Sequence, residues 1–497
     1  MQENTNKAIA INSLINYAKM GINTILALLT TRFALQALGV NDFGLFSVLG
    51  SIITFMGVFN TIMLSTSNRF LAVAIGRGNT IEINKQFNVN VVIYFIIAIL
   101  MLLLAYPIGV WYINSYINYD GPTAKVVMVF TLSIIGSIFS TIATPYNGLL
   151  MAKERFIVFS LVDVLIHLIR CIVAFILIYN FENKLFVYTL TMTVTTSIPV
   201  LIYWSYCKFQ YADYVRWRFV TDKLAYKEVL SFSGWVGYGA IACIAKNQGA
   251  SLLVNAFFNT AMNTALGIAN SLNAYITLFA NCLTQPMQPQ ITKSYAIGNT
   301  ERTDELLIIS TKFSFMMMFL ISIPFFIDAE YLLGLWLGNV PAYATSFTLL
   351  LIIDNLVQSF NAGISTIIFA SGRIALYQIV INTLRLLSIV IGYFVLRTCI
   401  NPYALFCIYI VFSIICIFAT QWSLKKTLGY NLHNLYKRSY IPCLLIAILG
   451  LLLIFLPHTI HPILRILISI IYILISEFFI GLNKKERNMI ISKLYRK

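Results

Sequence analysis

Two rows of hydroxyl and amide side chains are the residues with the clearest potential for binding chemistry in this sequence. Both rows lie in segments that are otherwise apolar enough to cross a membrane. At 100° per residue, each row falls within roughly a quarter-turn of its helix. A membrane helix with one polar side needs water or other polar groups to face, so the rows predict a water-filled cavity. The second predicted span contributes Ser47, Ser51, Thr54, Thr61, Ser65 and Asn68, and the eighth contributes Asn263, Asn270, Asn273, Thr277, Asn281, Thr284 and Gln288.

An internal repeat relates the two rows. Ser47 pairs with Asn270 and Thr54 with Thr277 at one constant offset. Further echoes follow in the same order, GRGNTIEINK with AIGNTERTDE and GLLMAKERFIVF with TIIFASGRIALY. Six spans per unit would give both halves the same orientation, which is a parallel repeat about an axis along the membrane normal. The predicted organisation is an N-lobe over 1–225, a C-lobe over 226–425, and two further spans with a basic tail over 426–497.

Two of the lysines inside predicted spans are candidates for lining the cavity. Lys246 is in the middle of the seventh span, and Lys19 shares one face of the first span with Asn12, Asn16, Asn23 and Thr30. A lysine at the bilayer centre costs about 2.5–3.5 kcal/mol, so each should face protein or water. We expect both lysines to line the cavity. The alternative for Lys19 is that its amine reaches the inner membrane surface.

Charged groups on the fifth, tenth and eleventh spans are candidates for ion coupling. Asp163, His167 and Arg170 follow one another at i, i+4 and i+7, so they share one helical face. They form either an internal ion pair or a relay for protons or ions. Asp354 on the tenth span either binds a coupling cation or balances Arg385 on the eleventh.

Composition places the chain among polytopic helical membrane proteins. Its 497 residues are 59% hydrophobic and 10% charged, with a mean hydropathy of +0.83. The sequence accommodates about fourteen segments of the roughly 20 apolar residues that a span needs. The expected fold is all-α, with two six-helix lobes and two C-terminal helices.

The net charge of +16 reflects membrane topology rather than nucleic-acid binding. Most of the 34 Lys and Arg residues lie in the termini and in alternate loops, which places both termini in the cytoplasm by the positive-inside rule. The eight cysteines form no CxxC pair, and no P-loop, HExxH or GxSxG motif occurs. We therefore expect no cofactor, no metal site and no catalytic site.

The first third of the chain resembles a known superfamily of exporters. The segment NSLINYAKMGINTILALLTTRFALQALGVNDFGLFSVLGSI, with its LGxxDFGLFS turn, and the later AKERF are similar to polysaccharide exporters of the multidrug/oligosaccharidyl-lipid/polysaccharide (MOP) superfamily. Within it, the chain resembles the O-antigen or capsule repeat-unit flippases of the Wzx type. The resemblance covers the whole chain in topology, and its motifs lie mainly in residues 12–160.

The resemblance implies two six-helix lobes around a central cavity that alternates between the two faces of the bacterial inner membrane. The implied cargo is an undecaprenyl-pyrophosphate-linked oligosaccharide, flipped outward to a polysaccharide polymerase machinery. In related lipid II flippases the last two helices form a groove for the lipid tail, a role that would fall here to residues 440–482. Membrane lipids and a coupling ion, H⁺ or Na⁺, are the other expected partners.

The residues are chemically suited to that cargo. Lys19 and Lys246 would offer cations to a pyrophosphate, and the amide and hydroxyl rows would bind sugars. Two other functions remain open. One is a cation-coupled multidrug antiporter of the same superfamily, which should place a carboxylate in the first lobe's cavity. The other is a membrane enzyme of polysaccharide assembly, a polymerase or glycosyltransferase, which needs a large outer loop or clustered catalytic acids that the sequence lacks.

Overall fold

The structure is a computed structural model of the whole chain. It describes the following residues: 2–56, 71, 74–75, 79–117, 119, 121–153, 155–179, 182–284, 287, 291, 294–295, 298–371, 373–455, 457, 459–484 and 486–488. Within these ranges the side chains of residues 2–20, 55–56, 156, 159, 231–236, 279–284 and 370 lie outside the description.

The described residues form helices joined by short connections, without a strand. Nine of these helices are long and apolar enough to cross a membrane, or ten with a pair that is bent by 46° at Phe360–Asn361. The all-α, multi-pass prediction is therefore confirmed, while the count of fourteen spans stays a prediction. In chain order the helices are α1 (Gln2–Met56), α2 (Thr80–Leu100), α3 (Tyr106–Tyr116), α4 (Thr123–Ala152), α5 (Phe156–Ile176), α6 (Lys184–Gln210), α7 (Lys223–Phe257), α8 (Thr260–Thr284), α9 (Thr300–Leu337), α10 (Ala344–Ser359), α11 (Ala362–Ala370), α12 (Ala375–Thr398), α13 (Ala404–Leu428), α14 (Ile441–Leu452) and α15 (Pro462–Ser476).

Helix α1 contains the first predicted span and the beginning of the second, separated by a break at Gly39. Gly39 has φ 75° and ψ 177°, a backbone conformation that glycine adopts without a steric penalty. Beyond the break, Asp42 accepts hydrogen bonds from the Tyr119 hydroxyl at 2.6 Å and from Lys125 Nζ at 2.9 Å. The LGxxDFG sequence thus turns the chain and fixes the turn to the connection between α3 and α4.

One of the internal sequence echoes has a local structural basis. The Asn-Thr pairs of the two related segments stand at the start of α2 and of α9. Asn79 accepts from the backbone amides of Ile81 and Glu82, and Asn299 accepts from the amide of Arg302. An N-cap of this kind contributes about 1 kcal/mol to a helix. The echo therefore repeats the signal that begins a helix.

The chain forms two compact units, Met1–Gly267 and Ile268–Lys497. In the first unit α4 packs along α6, and α1 packs along α5. One of its core clusters includes Phe130, which is fully buried with Leu45 and Leu49 of α1. The predicted lobe boundaries at 225 and 425 come from the repeat in the sequence, whereas the two compact units reflect how the helices pack. The lobe boundaries stay a prediction.

In the second unit α12 packs along α13, and α9 packs against α10 and α15. Helix α9 is broken at Asp328, whose φ of −156° and ψ of 69° are not helical. The Asp328 carboxylate accepts from the backbone amide of Tyr331 at 3.2 Å, so it caps the portion of the helix that follows the break. The last two spans begin and end near π-helical turns at Tyr436–Tyr440 and Glu477–Gly481.

Candidate functional site

Several predicted cavity residues lie outside the described part of the chain. Asn12, Asn16 and Lys19 belong to α1 and Asn281 belongs to α8, but their side chains are not described. Thr61, Ser65 and Asn68 of the first polar row and Gln288 of the second lie outside the described residues, as does the side chain of Thr284. Their roles stay predictions.

In the first unit, Asn23 of α1 and Asp163 of α5 are joined directly. Asn23 Nδ2 donates to Asp163 Oδ2 at 3.1 Å. One turn along α5, His167 Nδ1 lies 2.8 Å from the Asp163 carbonyl oxygen and 4.0 Å from its carboxylate. The Asp163 and His167 side chains are 31% and 29% exposed, so both are reachable from one side of the helix pair.

Arg170 is held by the neighbouring helix α6. Its Nε donates to Thr195 Oγ1 and its Nη2 to Thr196 Oγ1, each at 2.8 Å. The two hydroxyls fix the guanidinium at the contact between α5 and α6. Arg170 lies about two helical turns along α5 from Asp163. We call Asn23, Asp163, His167, Arg170, Thr195 and Thr196 the first polar cluster.

Lys246 and Thr54, two further predicted cavity residues of the first unit, have different environments. Lys246 is buried, with 7% of its surface exposed, although its neighbour Asn247 is exposed. Thr54 is exposed, and its hydroxyl donates to the Gly50 carbonyl at 2.9 Å within its own helix. A lysine in a membrane helix is buried only where polar groups or water lie next to its amine.

The two polar rows approach each other where they begin, at residues 40–47 of α1 and 260–267 of α8. A Cβ atom on Gly44 of α1 would lie 1.9 Å from the carbonyl oxygen of Thr260, and one on Gly267 would lie 2.5 Å from Ser47 Oγ. The Thr264 hydroxyl donates to the Val40 carbonyl, next to the break at Gly39. Glycines therefore let α1 and the start of α8 pack backbone to backbone, as small residues do between membrane helices.

In the second unit, Asn355 of α10 bridges two residues of the second polar row. Its Nδ2 donates to Asn273 Oδ1 at 2.5 Å and to Thr277 Oγ1 at 3.0 Å. Asn270, one turn earlier on α8, is half-buried. These contacts bind α8 to α10 through side chains that a sugar hydroxyl can equally bind.

Asp354, the neighbour of Asn355, points to a different helix. The Ser413 hydroxyl of α13 donates to Asp354 Oδ1, and Gln358 Nε2 donates to its Oδ2 at 2.7 Å. On α12, Arg385 Nη1 donates to Asn382 Oδ1 at 3.1 Å, and Asn382 in turn donates to Gln378. We call Asn273, Thr277, Asp354, Asn355, Gln358 and Ser413 the second polar cluster; its acid is 6% exposed.

Asn355, Ser413, Thr195 and Thr196 complete these clusters but were not predicted from the sequence. Asn355 is adjacent to Asp354, and that adjacency to an intramembrane acid was the only available signal. The hydroxyl residues carry no distinctive pattern, because serine and threonine are common in membrane helices and bond to their own backbone. Among the side chains described, no group of three His, Cys, Asp or Glu residues is placed to hold a metal ion.

A separate apolar cavity of about 490 Å³ lies in the first unit. Its wall comes from α2, α3 and the π-helical turn between them, from Ile52 of α1, and from α7. The Tyr112 hydroxyl at its edge donates to the Leu252 carbonyl at 3.0 Å. The lining therefore suits a hydrocarbon chain and differs in kind from the polar clusters.

No protein-family model matches the chain, and no curated protein matches it by sequence. Solved structures do match by fold. An inward-facing multidrug resistance MATE family transporter of the MOP superfamily aligns with a TM-score of 0.69 at 13% identity, covering 84% of this chain and 99% of that one. The lipid II flippase MurJ, in an inward closed conformation, aligns with a TM-score of 0.66 at 13% identity, covering 94% and 98%.

A MOP superfamily transporter from Pyrococcus furiosus, described as having a binding pocket of reverse polarity, aligns with a TM-score of 0.59 at 13% identity. That alignment covers 85% of this chain and 96% of the other. At these identities the likeness establishes the fold. The chain has the fold of the MOP superfamily transporters, as the resemblance of its first third predicted.

Proposed function

We propose that this protein is a flippase that moves an undecaprenyl-pyrophosphate-linked oligosaccharide from the cytoplasmic to the outer face of the bacterial inner membrane. The observation that carries the proposal is the extent of the fold match. The likeness to the lipid II flippase covers 94% of the chain, against 84–86% for the MATE transporters. A flippase whose cargo has a lipid tail accounts for the additional length better than a drug exporter does.

The polar clusters support a sugar-bearing cargo. Each cluster presents amide and hydroxyl groups from at least two helices, and such groups bind sugar hydroxyls as both donors and acceptors. Lys246, buried at 7% exposure, and Lys19 offer the cations that a pyrophosphate needs. The apolar cavity beside α3 offers a surface that a polyprenyl chain can contact without desolvating polar groups.

The transport cycle we propose is alternating access driven by an ion gradient or by the membrane potential. Asp163 with His167, and Asp354, are the candidates for binding H⁺ or Na⁺. Arg170 of the first polar cluster and Arg385 of α12 are the candidate partner cations. The repeat lobes at 1–225 and 226–425 would be the moving bodies. Both termini would lie in the cytoplasm, and a polysaccharide polymerase would receive the flipped repeat units.

Depletion of the protein tests this function. Lipid-linked oligosaccharide is quantified on each membrane face by an impermeant sugar-reactive probe, in intact cells and in inverted vesicles. We expect full-length repeat units to accumulate on the cytoplasmic face. Repeat units that reach the outer face and stay unpolymerised would instead identify a polymerase, and unchanged pools on both faces would contradict the flippase proposal.

Alanine variants test whether the two lysines bind the cargo, with an exposed lysine as the matched control. Lys246→Ala should reduce surface polysaccharide, whereas Lys208→Ala should not, because Lys208 is exposed and stacks over Trp204 at 4.8 Å. The double variant Lys19→Ala and Lys246→Ala should abolish flipping. Normal surface polysaccharide in that double variant would show that the two lysines are not required for binding the cargo.

A cation-coupled multidrug antiporter is the second candidate. The TM-score of 0.69 with a MATE transporter favours it, as does the half-exposed carboxylate of Asp163 in the first unit. Dye efflux that depends on Asp163, together with unchanged lipid-linked oligosaccharide pools, would establish it in place of the flippase.

A further inference from the structure

Helix α15 and the π-helical turn that follows it carry charged residues on their buried face. Along α15 and the π-helical turn that follows it, every fourth residue is buried: Arg465, Ser469, Ile473, Glu477 and Gly481. This stripe faces α9 and α14. A charge within such a stripe is expensive unless a partner meets it, so the partner of each charge shows what that charge does.

Arg465, near the outer end of the stripe, is matched by α9. Its Nη1 lies 3.3 Å from Asp328 Oδ2, and its Nη2 donates to the Ile327 carbonyl at 3.3 Å. Asp328 is the residue at which α9 breaks, and a break exposes carbonyl oxygens that need donors. The arginine therefore has a structural role, in which it holds α15 against the break.

Beyond the inner end of the stripe, Glu486 is matched by the same helix. Lys312 Nζ of α9 lies 2.6 Å from Glu486 Oε2, which also accepts from the backbone amide of Asn483 at 2.7 Å. The Lys312 side chain is 2% exposed. This pair fixes the segment after the last span to α9, so both ends of the C-terminal helix are held by ion pairs.

Glu477 lies between these two ion pairs and differs from both. It is 6% exposed, and its Oε1 is buried without a hydrogen-bond partner among the described residues. One turn further on, a Cβ atom on Gly481 would lie within about 3 Å of Met316 and Ile446, so the surrounding helices approach closely there. The π-helical turn that begins with Glu477 thus packs against α9 and α14, and thioether and aliphatic groups line its far end at Gly481.

The titratable groups on the elements packed around Glu477 are few. Lys312 on α9 is engaged by Glu486. Cys443 on α14 lies close enough to both Lys312 and Glu477 to interact with their charges, and its Sγ lies 4.0 Å from the Lys312 carbonyl. Tyr440, before α14, donates its hydroxyl to the Phe360 carbonyl at 3.1 Å. These groups leave the Glu477 carboxyl without a described cation of its own.

We propose that Glu477 is a proton-binding site of the C-terminal helix pair. Desolvating an unpaired carboxylate is costly, and a bound proton removes that cost. A metal cation would require several oxygen ligands, and among the described residues no group of three His, Cys, Asp or Glu is placed to hold one. When the seam between α15 and α9 opens to water, the carboxyl releases its proton to water, and when the seam closes it takes one up. The π-helical turn that begins at Glu477 is the type of distortion that recurs at functional positions in helices.

Difference infrared spectroscopy tests this proposal without any cargo. The purified full-length protein in lipid nanodiscs is titrated with acid and base, and the C=O stretching band of protonated carboxyl groups is followed. We expect Glu477→Gln to remove one titrating component of that band. The control Glu305→Gln should leave it intact, because Glu305 is exposed and paired with Arg302 at 2.7 Å. A band that Glu477→Gln leaves unchanged would overturn the proposal, as would a titration of the Glu477 component that follows Na⁺ concentration instead of pH.

A second measurement covers the case in which Glu477→Gln does not fold. Glu477→Asp retains a carboxyl at the same position, so its titrating component should shift and remain present. Amide hydrogen exchange of residues 441–481 should increase with pH in the unaltered protein, and Glu477→Gln should remove this dependence beyond the intrinsic effect of pH on exchange. Identical exchange profiles in both proteins across pH would contradict the proposal.

Discussion

Lys312 of α9 and Glu486, which follows α15, form an ion pair of 2.6 Å with side chains 2% and 15% exposed. The chain contains a natural comparison in Arg302 and Glu305, which form a pair of 2.7 Å with side chains 49% and 44% exposed. The two pairs have similar geometry and differ in their access to solvent. A buried pair loses much more than a surface pair when one partner is removed, because the remaining charge stays desolvated.

We therefore predict that Lys312→Ala and Glu486→Ala each lower the free energy of unfolding by about 3–5 kcal/mol. The control Arg302→Ala should change it by less than about 1 kcal/mol. The double variant Lys312→Met and Glu486→Leu should recover much of the loss, since it removes both charges. Thermal unfolding in lipid nanodiscs measures all four proteins, and equal shifts for Lys312→Ala and Arg302→Ala would show that the first pair is not buried.

Asp163 should matter for transport more than for stability. In Asp163→Asn, the new amide oxygen can still accept from Asn23, so the α1–α5 contact persists while the charge is lost. If Asp163 couples transport to an ion, this variant should reduce the flipping rate tenfold or more, since a bond to a charged group is worth about 1.5–3 kcal/mol. Flipping by proteoliposomes across a range of pH measures the effect.

The companion variants separate charge from packing. Asp163→Ala should in addition lower the melting temperature, because it leaves Asn23 Nδ2 without its acceptor. Asp213→Asn, at an exposed position in the connection after α6, should change neither quantity. If Asp163→Asn leaves both the flipping rate and its pH dependence unchanged, Asp163 does not couple transport to an ion.

Asn355 should hold the second polar cluster together. Asn355→Leu keeps a side chain of similar size but removes the donor that bridges Asn273 and Thr277. Leaving buried acceptors unsatisfied costs about 1–3 kcal/mol, and Asn273 and Thr277 are half-buried, so we expect a loss within or below this range, a lower melting temperature and slower flipping. Thr398→Ala, at an exposed hydroxyl bonded within its own helix, is the control and should behave as the unaltered protein. A normal melting temperature in Asn355→Leu would show that the bridge contributes nothing.

The sequence predicted the helical class, the membrane-spanning character and the superfamily fold, because hydropathy and a long N-terminal motif carry that information. It also predicted which residues share a helical face. The bond between Asp354 and Gln358, four residues apart, is of the kind that such spacing indicates. Ser413, which also donates to Asp354, lies 59 residues further along the chain, and no local pattern indicates that contact.

Two further features could not be predicted from the sequence. Asn23 was predicted as a cavity residue and Asp163 as an ion-coupling residue, and their direct bond depends on the packing of α1 on α5. The sequence does not indicate roles for Glu477 and Lys312, because an isolated charge in an apolar segment has no spacing pattern. Only their burial distinguishes them from charges at the ends of spans.

Asp222 provides a prediction for pH dependence outside the membrane. Hydrogen bonds from Lys85 Nζ at 2.7 Å and from the Leu224 amide at 2.9 Å hold the pKa of Asp222 below its ordinary value. A carboxyl group whose pKa is lowered in the folded state stabilises the protein at pH values above its unfolded-state pKa of about 3.9. This stabilisation is lost as the pH falls through the folded-state pKa. Asp222→Asn should therefore lower the melting temperature slightly at neutral pH, and the difference should vanish in strong acid.

Measurement of melting temperatures from neutral pH to below pH 3 checks this sign. Glu228→Gln, at an exposed position of α7, is the matched control and should show no such pH-dependent difference. A difference between Asp222→Asn and the unaltered protein that grows as the pH falls would contradict the predicted direction.

Gly450 should be required for the close approach of the C-terminal helices. A Cβ atom at this position would lie 2.4 Å from Phe319 Cζ of α9 and 3.3 Å from Ile473 Cδ1 of α15. Because Phe319 is only 5% exposed, its ring has little room to move, and overpacking of this kind typically costs about 1–3 kcal/mol. We expect Gly450→Val to lower the melting temperature and to increase amide hydrogen exchange in residues 441–481. Gly50→Ala, at a position with no atom within 4 Å of the added Cβ, should leave both unchanged or slightly improved. Unchanged exchange in Gly450→Val would mean that α14 does not pack closely on α9 and α15.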